Sequence, residues 1–123
     1  MPDSGTSNMV GTRFHAEVSS SDASLGVALV IYETGLLVVH TLQENEQLCI
    51  TDVDLVSVAG GAIGLYADTD TAGKRIVKAT VDAGGGIVRS LCVPHVCPAG
   101  VVPKVVAPEG QVDCIIHGYI KQI

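Results

Sequence analysis

The chain has 123 residues, a formal net charge of −6, and a composition that is 47% apolar, 16% charged and only 3% aromatic. Its seven scattered Lys and Arg residues do not form the basic surface that nucleic acids or anionic membranes require, so we expect neither partner. The length suits one domain with a substantial core. That core must be built from Val, Ile, Leu and Ala, because the chain has one Phe and no Trp.

Residues 1 to 12 contain Pro, Gly, Ser and Thr without periodicity, which predicts a flexible N-terminal arm ahead of a single domain over residues 13 to 123. The arm is either a disordered tail or a segment that orders on a partner. It lacks the apolar stretch of a secretory signal, so we expect the chain to be made in a cytoplasm with its thiols reduced.

The first half of the domain carries strand patterns. Arg13 to Val18 alternates between apolar and polar residues, which predicts a half-buried strand. Val27 to Tyr32 is a continuous apolar run of strand length, and with Leu36 to Thr41 it predicts a hairpin. Gln43 to Glu46 is too short for a stable helix and is predicted to be an exposed acidic loop.

The middle of the chain continues the pattern. Leu48 to Val58 alternates, but its phase changes near Asp52, which predicts a bulge or bend at that point. Ala62 to Ala67 and Lys74 to Val81 are predicted to pair as a hairpin.

Prolines divide the rest of the chain. Ile87 to Val93 is predicted to be a strand that ends at Pro94, and Val105 with Val106 a short strand at a sheet edge. The apolar stretch Gln111 to Ile120 is predicted to be the strand around which the earlier chain closes. About eight short strands without an amphipathic helix predict an all-β fold, an antiparallel β-sandwich of the jelly-roll type.

Two Cys and His groups have the residue types of a zinc site: Cys92, His95 and Cys97, and Cys114 with His117. On a regular strand, however, Cys114 and His117 face opposite sides, because they are three positions apart. The first group lacks a Cys-x-x-Cys pair. We therefore expect no metal site.

The four cysteines are Cys49, Cys92, Cys97 and Cys114. Buried thiols that pack as small apolar groups explain them most simply. A disulfide between Cys92 and Cys97, or from either of them to Cys114, stays open, because sequence does not choose among pairings.

Other motifs are incomplete. Residues 68 to 73 begin like a calcium loop, but Ala72 and Ala79 occupy ligand positions, so a plain hairpin turn is predicted. The chain has no Gly-x-Ser-x-Gly elbow and no phosphate loop.

The carboxylates Glu44, Glu46, Asp52 and Asp54 lie close together in sequence, and we expect them to be solvated surface charges. The four histidines are dispersed along the chain. We predict a non-enzymatic protein with no catalytic residue and no cofactor.

Three stretches carry a resemblance: 48 to 53 followed by a Gly-Gly turn, the break at 98 to 103, and the ending from Gly110 to Tyr119. Between Phe14 and Ile120 the chain resembles the jelly-roll head decoration, or cement, proteins of tailed bacteriophages, and more loosely the tumour-necrosis-factor-like trimers. No functional residue transfers from this resemblance.

The resemblance implies a homotrimer that binds the major capsid protein on the virion surface and stabilises the shell. Such a protein would be made in the host cytoplasm. The alternative is a ligand-binding jelly-roll module for a carbohydrate or a receptor. The shortage of aromatic platforms disfavours a sugar site.

The closing strand supplies the candidate contacts. Val112, Cys114 and Ile116 share one face of this strand, and the opposite face is mixed. On it, His117 and Tyr119 are the candidates for an inter-subunit contact.

Overall fold

The structure is a computed structural model that describes residues 12–20, 23, 26–34, 38–67, 74–107 and 111–123. Apart from Thr12, the predicted N-terminal arm lies outside these residues. So do the calcium-like segment 68 to 73 and the turn at 108 to 110, which precedes the closing strand.

The described residues form ten β-strands. They are β1 Thr12–Ser20, β2 Val27–Ala28, β3 Val30–Glu33, β4 Val38–Val39, β5 Glu46–Ser57, β6 Gly61–Tyr66, β7 Arg75–Val81, β8 Gly86–Val96, β9 Lys104–Val106 and β10 Val112–Gln122. Within the described ranges, no helix is long and apolar enough to cross a membrane. The all-β prediction is confirmed, with ten strands in the described residues instead of about eight, in part because the predicted run Val27 to Tyr32 is divided into β2 and β3.

The strands form two antiparallel sheets. The six-stranded sheet has the order β4-β3-β1-β10-β5-β8, and the four-stranded sheet has the order β2-β9-β6-β7. The pairings β1–β10, β2–β9, β5–β8 and β6–β7 are nested, as in one long hairpin rolled across two sheets, which is the jelly-roll arrangement. The closing strand β10 lies between β1 and β5, a strand order that the sequence alone does not give.

The core lies between the sheets and is aliphatic. In β10 every second residue from Val112 to Ile120 is buried, and in β1 the inward residues include Phe14 and Ala16. Leu48, Ile50 and other inward residues of β5 also belong to this core. Each fully buried Leu or Ile contributes about 1.5–3 kcal/mol relative to an exposed one, so the strand alternation itself drives the sandwich together.

The predicted bulge near Asp52 is confirmed. The register of β5 on β10 shifts between His117 and Gly118, and Thr51 is the extra residue between the paired Ile50 and Asp52. At Gly118 the two backbones approach so closely that an added Cβ would lie 2.0 Å from the carbonyl oxygen of Cys49. Only glycine fits there.

The predicted break at Pro94 is wrong. Strand β8 runs from Gly86 to Val96 at the edge of its sheet, with pairs between Asp52 and Ser90 and between Ile50 and His95. Residues 91 to 94 therefore oppose a single residue of β5. This large bulge on an edge strand accepts Pro94, because no ladder N–H is needed there.

Two other boundaries differ from prediction. The run Val27 to Tyr32 is divided at the buried Leu29, so that β2 joins the four-stranded sheet and β3 the six-stranded one. Leu29 donates its N–H to the carbonyl oxygen of Pro103 at 3.2 Å, which satisfies the backbone at the crossing. Strand β9 is not an edge strand, because it pairs with both β2 and β6.

Candidate functional site

The outer face of the six-stranded sheet is the surface that points away from the core. It is built from the odd-numbered residues of β1 and β10 and from their partners on the neighbouring strands. Cross-strand pairing joins six of its residues into one row, here called the central row. From edge to edge this row is Val39, Tyr32, His15, His117, Asp52 and Ser90.

The middle of the central row is aromatic. The His15 ring stacks on the Tyr32 ring, with centroids 5.1 Å apart and planes 15° apart. The His117 ring lies 6.3 Å from His15 at a tilt of 38°. These contacts join three strands and hold the rings in place, so the surface that they form is ordered before any partner arrives.

Asp52 holds a fixed negative charge in the same row. Its carboxylate accepts hydrogen bonds from Ser90 Oγ at 2.8 Å and from Thr51 Oγ1 at 2.9 Å. These bonds, led by that from Ser90, lower the pKa of Asp52, and the neighbouring His117 adds to the effect. The Ser90 hydroxyl is thus bonded to a carboxylate and not to an imidazole, unlike the nucleophile of a Ser-His-Asp relay.

One end of the outer face is acidic. Asp113 accepts hydrogen bonds from Ser19 Oγ at 2.5 Å and from Gln111 Nε2 at 3.2 Å, and these, led by Ser19, lower its pKa. Glu17 and Asp54 flank the exposed Ile115 on either side through strand pairing.

The other end is basic. Arg13 pairs with Tyr119, and Lys121 follows two residues further along β10; both cations are exposed. The charge of the outer face therefore changes from negative to positive along the direction of β10.

A cleft of about 490 Å³ opens at the acidic end. Its lining combines two carboxylates, a hydroxyl, an aromatic ring and aliphatic side chains; the residues are Glu17, Val18, Ser19, Val30, Tyr32, Asp113, Cys114 and Ile115. Such a lining can accept hydroxyl or cationic groups while covering apolar surface.

Apolar side chains are exposed on the same face. Val88 is 80% exposed, Val39 58%, Val30 42% and Ile115 39%. These side chains lie on four strands. Association with another molecule would remove their apolar surface from water.

Both predicted contact residues lie on this face: His117 is exposed and Tyr119 is half-buried. Tyr119 shares a hydrogen bond with the thiol of Cys49, its partner on β5. Their role between subunits stays a prediction. Cys114 is buried while His117 is exposed, which confirms that they face opposite sides of β10.

All four cysteines are free thiols in the structure, so none of the disulfides left open by the sequence is formed in it. Cys92 is exposed in the β8 bulge, whereas Cys49, Cys97 and Cys114 are buried. In the part of the chain that the structure describes, no three His, Cys, Asp or Glu side chains are grouped to hold a metal ion.

Glu46 corrects another prediction. It is only 6% exposed, not part of an exposed acidic loop. Its carboxylate accepts hydrogen bonds from the Gln43 N–H at 2.8 Å, from His40 Nε2 at 2.9 Å and from Gln122 Nε2 at 3.0 Å. The alternation that places Leu48 inward extends back to Glu46. The burial of Glu46 could have been predicted from this pattern.

Comparison with known proteins adds no relative: no protein-family model, no curated protein and no solved structure matches this chain.

Proposed function

We propose that this chain is a non-enzymatic structural protein of a virus particle, a capsid decoration or cement protein that binds the major capsid protein and stabilises the shell. The observation that carries the proposal is the outer face of the six-stranded sheet. It combines exposed aliphatic side chains with ordered rings and charges over the width of the sandwich.

The physical reasoning is that cementing needs a rigid body with adhesive surface. The jelly roll supplies the body, since both sheets are hydrogen-bonded throughout and share one aliphatic core. Side chains on paired strands lose little freedom on binding, so most of the free energy from covering Val30, Val88 and Ile115 would remain available for association.

The resemblance implies a homotrimer in which an N-terminal arm docks on the shell. The arm hypothesis can be tested by deleting residues 2 to 11, which keeps Thr12 and its pairing with Ile120. We expect the shortened chain to fold normally and to lose particle binding. Equal binding by the shortened and full-length chains would overturn the arm hypothesis.

The decoration proposal is tested with particles of a tailed phage whose genome encodes this chain. We expect the chain to sediment with purified particles, and particles without it to release their DNA at lower temperature. Adding back purified chain should restore the release temperature. A chain that stays in the supernatant and leaves DNA release unchanged would refute the proposal.

A second candidate function is a carbohydrate-binding module, favoured by the cleft at the acidic end. There the Tyr32 ring lies beside Glu17, Ser19 and Asp113, an aromatic surface next to hydrogen-bonding groups, which suits a sugar. Screening on a glycan array should then find binding that Tyr32→Ala abolishes. Binding that survives this substitution, or no binding at all, would count against the cleft.

A further inference from the structure

The charges of the outer face are placed symmetrically about the central row. In β10, Asp113 and Lys121 lie equally far from His117, on opposite sides along the strand. In β1, Glu17 and Arg13 lie equally far from His15 in the same way. Each pair joins an acid to a base, and all four side chains point outward.

We infer that the outer face binds a second copy of this chain about a two-fold axis that runs along the central row. Rotation about this axis reverses the strand direction and keeps each strand over its own counterpart. Glu17 of one copy then faces Arg13 of the second, and Asp113 faces Lys121. The central rows meet in the middle, where each residue faces its own counterpart. The two Asp52 carboxylates oppose the pairing there, and the four acid–base contacts of the two ends outweigh them.

Charge selects this orientation. A two-fold axis parallel to the strands would place the two acidic ends over each other, and like charges in contact are unfavourable. Residues 1 to 11 contain no Lys or Arg, so the chain's own N-terminal segment does not complement the acidic end. The second copy carries the matching cations at the required positions.

The size of the face is adequate. Strand spacing and residue rise give the area from Asp113 to Lys121 over the central strands as roughly 600 Å² per copy. Two copies would bury about 1,200 Å², at the lower end of stable protein interfaces. The apolar contribution comes from Ile115 and Val30. Val39 and Val88 contribute less, because they lie on the edge strands β4 and β8, which diverge as the sheets twist.

This pairing does not rest on the proposed function, but it uses the same outer face, so two paired copies must separate before that face can bind the shell. It is a closed pair, because both copies use the same surface, so it differs from the three-fold assembly that the resemblance implies. Particle binding and self-association are measured separately, so failure of one does not imply failure of the other.

The test uses purified full-length chain and light scattering coupled to gel filtration. At about 100 μM we expect a mass of twice 12.7 kDa, with less dimer as salt is raised. Two variants remove the complementarity: Glu17→Arg with Asp113→Lys makes both ends basic, and Arg13→Glu with Lys121→Glu makes both acidic. Each alone should bind itself at least about 100-fold more weakly than the original chain.

The decisive sample is the equimolar mixture of these two variants. Their ends are complementary again, so the mixture should form a heterodimer although neither variant dimerises alone. Arg75→Glu with Lys78→Glu, the same change in charge on exposed β7 residues, is the matched control and should leave the dimer intact. Circular dichroism melting verifies that every variant is folded.

Three results would overturn the inference. One is a monomeric or trimeric original chain at that concentration. The second is a mixture that associates no better than its components while all variants are folded. The third is a β7 control that dissociates the dimer as strongly as the face variants.

Discussion

Replacing Glu46 by Gln tests the role of the buried carboxylate at the start of β5. The substitution keeps the shape of the side chain and removes its charge. In the original chain, three donors, from Gln43, His40 and Gln122, bond to the carboxylate. Hydrogen bonds to a charged acceptor are worth about 1 kcal/mol more each than neutral ones, so we expect a loss of about 2 kcal/mol after allowance for rearrangement of Gln122.

The pH dependence of this loss has a defined sign. Burial raises the pKa of Glu46, but the bonds from Gln43, His40 and Gln122 together outweigh it, and the pKa lies below the ordinary 4.5. A lowered folded-state pKa means stabilisation that is complete above the unfolded value and is lost as pH falls through the folded value. The difference between Glu46→Gln and the original chain should therefore shrink between about pH 5.5 and pH 3.

Urea unfolding followed by circular dichroism at both pH values measures this difference. The neighbouring Glu44→Gln is the control, because Glu44 is exposed, and it should change the unfolding free energy by less than about 0.5 kcal/mol. A loss at Glu46 as small as at Glu44, or a loss that does not shrink at the lower pH, would refute the reasoning.

Two further predictions concern the backbone and the thiols. Gly118→Ala should destabilise the fold by at least about 3 kcal/mol, because the new Cβ must displace the Cys49 carbonyl on the paired strand; urea unfolding with a loss under about 1 kcal/mol would contradict this. In the folded protein, a thiol reagent should modify Cys92 rapidly and leave Cys97 and Cys114 intact, since burial raises the pKa of both to about 12. Mass spectrometry before and after unfolding counts the modified thiols, and equal rates for all of them in the folded chain would contradict the burial.

Local patterns predicted the parts of the fold that depend on alternation. The two faces of the closing strand followed from the spacing of Val112 to Ile120. The phase change near Asp52 located the bulge. The sequence around Asp52 does not show how the extra residue of the bulge is accommodated, because it packs opposite Gly118, which lies on another strand.

Continuous apolar runs and prolines gave wrong strand boundaries, and the reasons are physical. The run Val27 to Tyr32 has no alternation, so nothing in it shows that Leu29 passes from one sheet to the other. A proline ends most strands, but an edge strand with a large bulge tolerates one, as β8 does at Pro94. Val105 is buried because its strand, β9, pairs on both sides. Its partners β2 and β6 are distant in sequence, so the local pattern does not show them.

The candidate face could be predicted only in part. His117 and Tyr119 were predicted to lie on the mixed face of the closing strand, and the alternation of Arg13 to Val18 places His15 on a polar face. The contacts of His15 with His117 and Tyr32 could not be predicted, because the pairing of β1 with β10 and β3 sets them. Cross-strand rows depend on register between remote segments, and a single sequence holds little information on register.

The pairing of β1 with β10 also constrains how the protein is made. During synthesis, β1 and β5 leave the ribosome long before β10, yet β10 is the strand that separates them in the finished sheet. The six-stranded sheet therefore forms only after translation has passed Gln122. Until then Phe14, Leu48 and Leu55 have no complete core to enter, and the nascent chain depends on its slow, non-local final pairing to leave the aggregation-prone state.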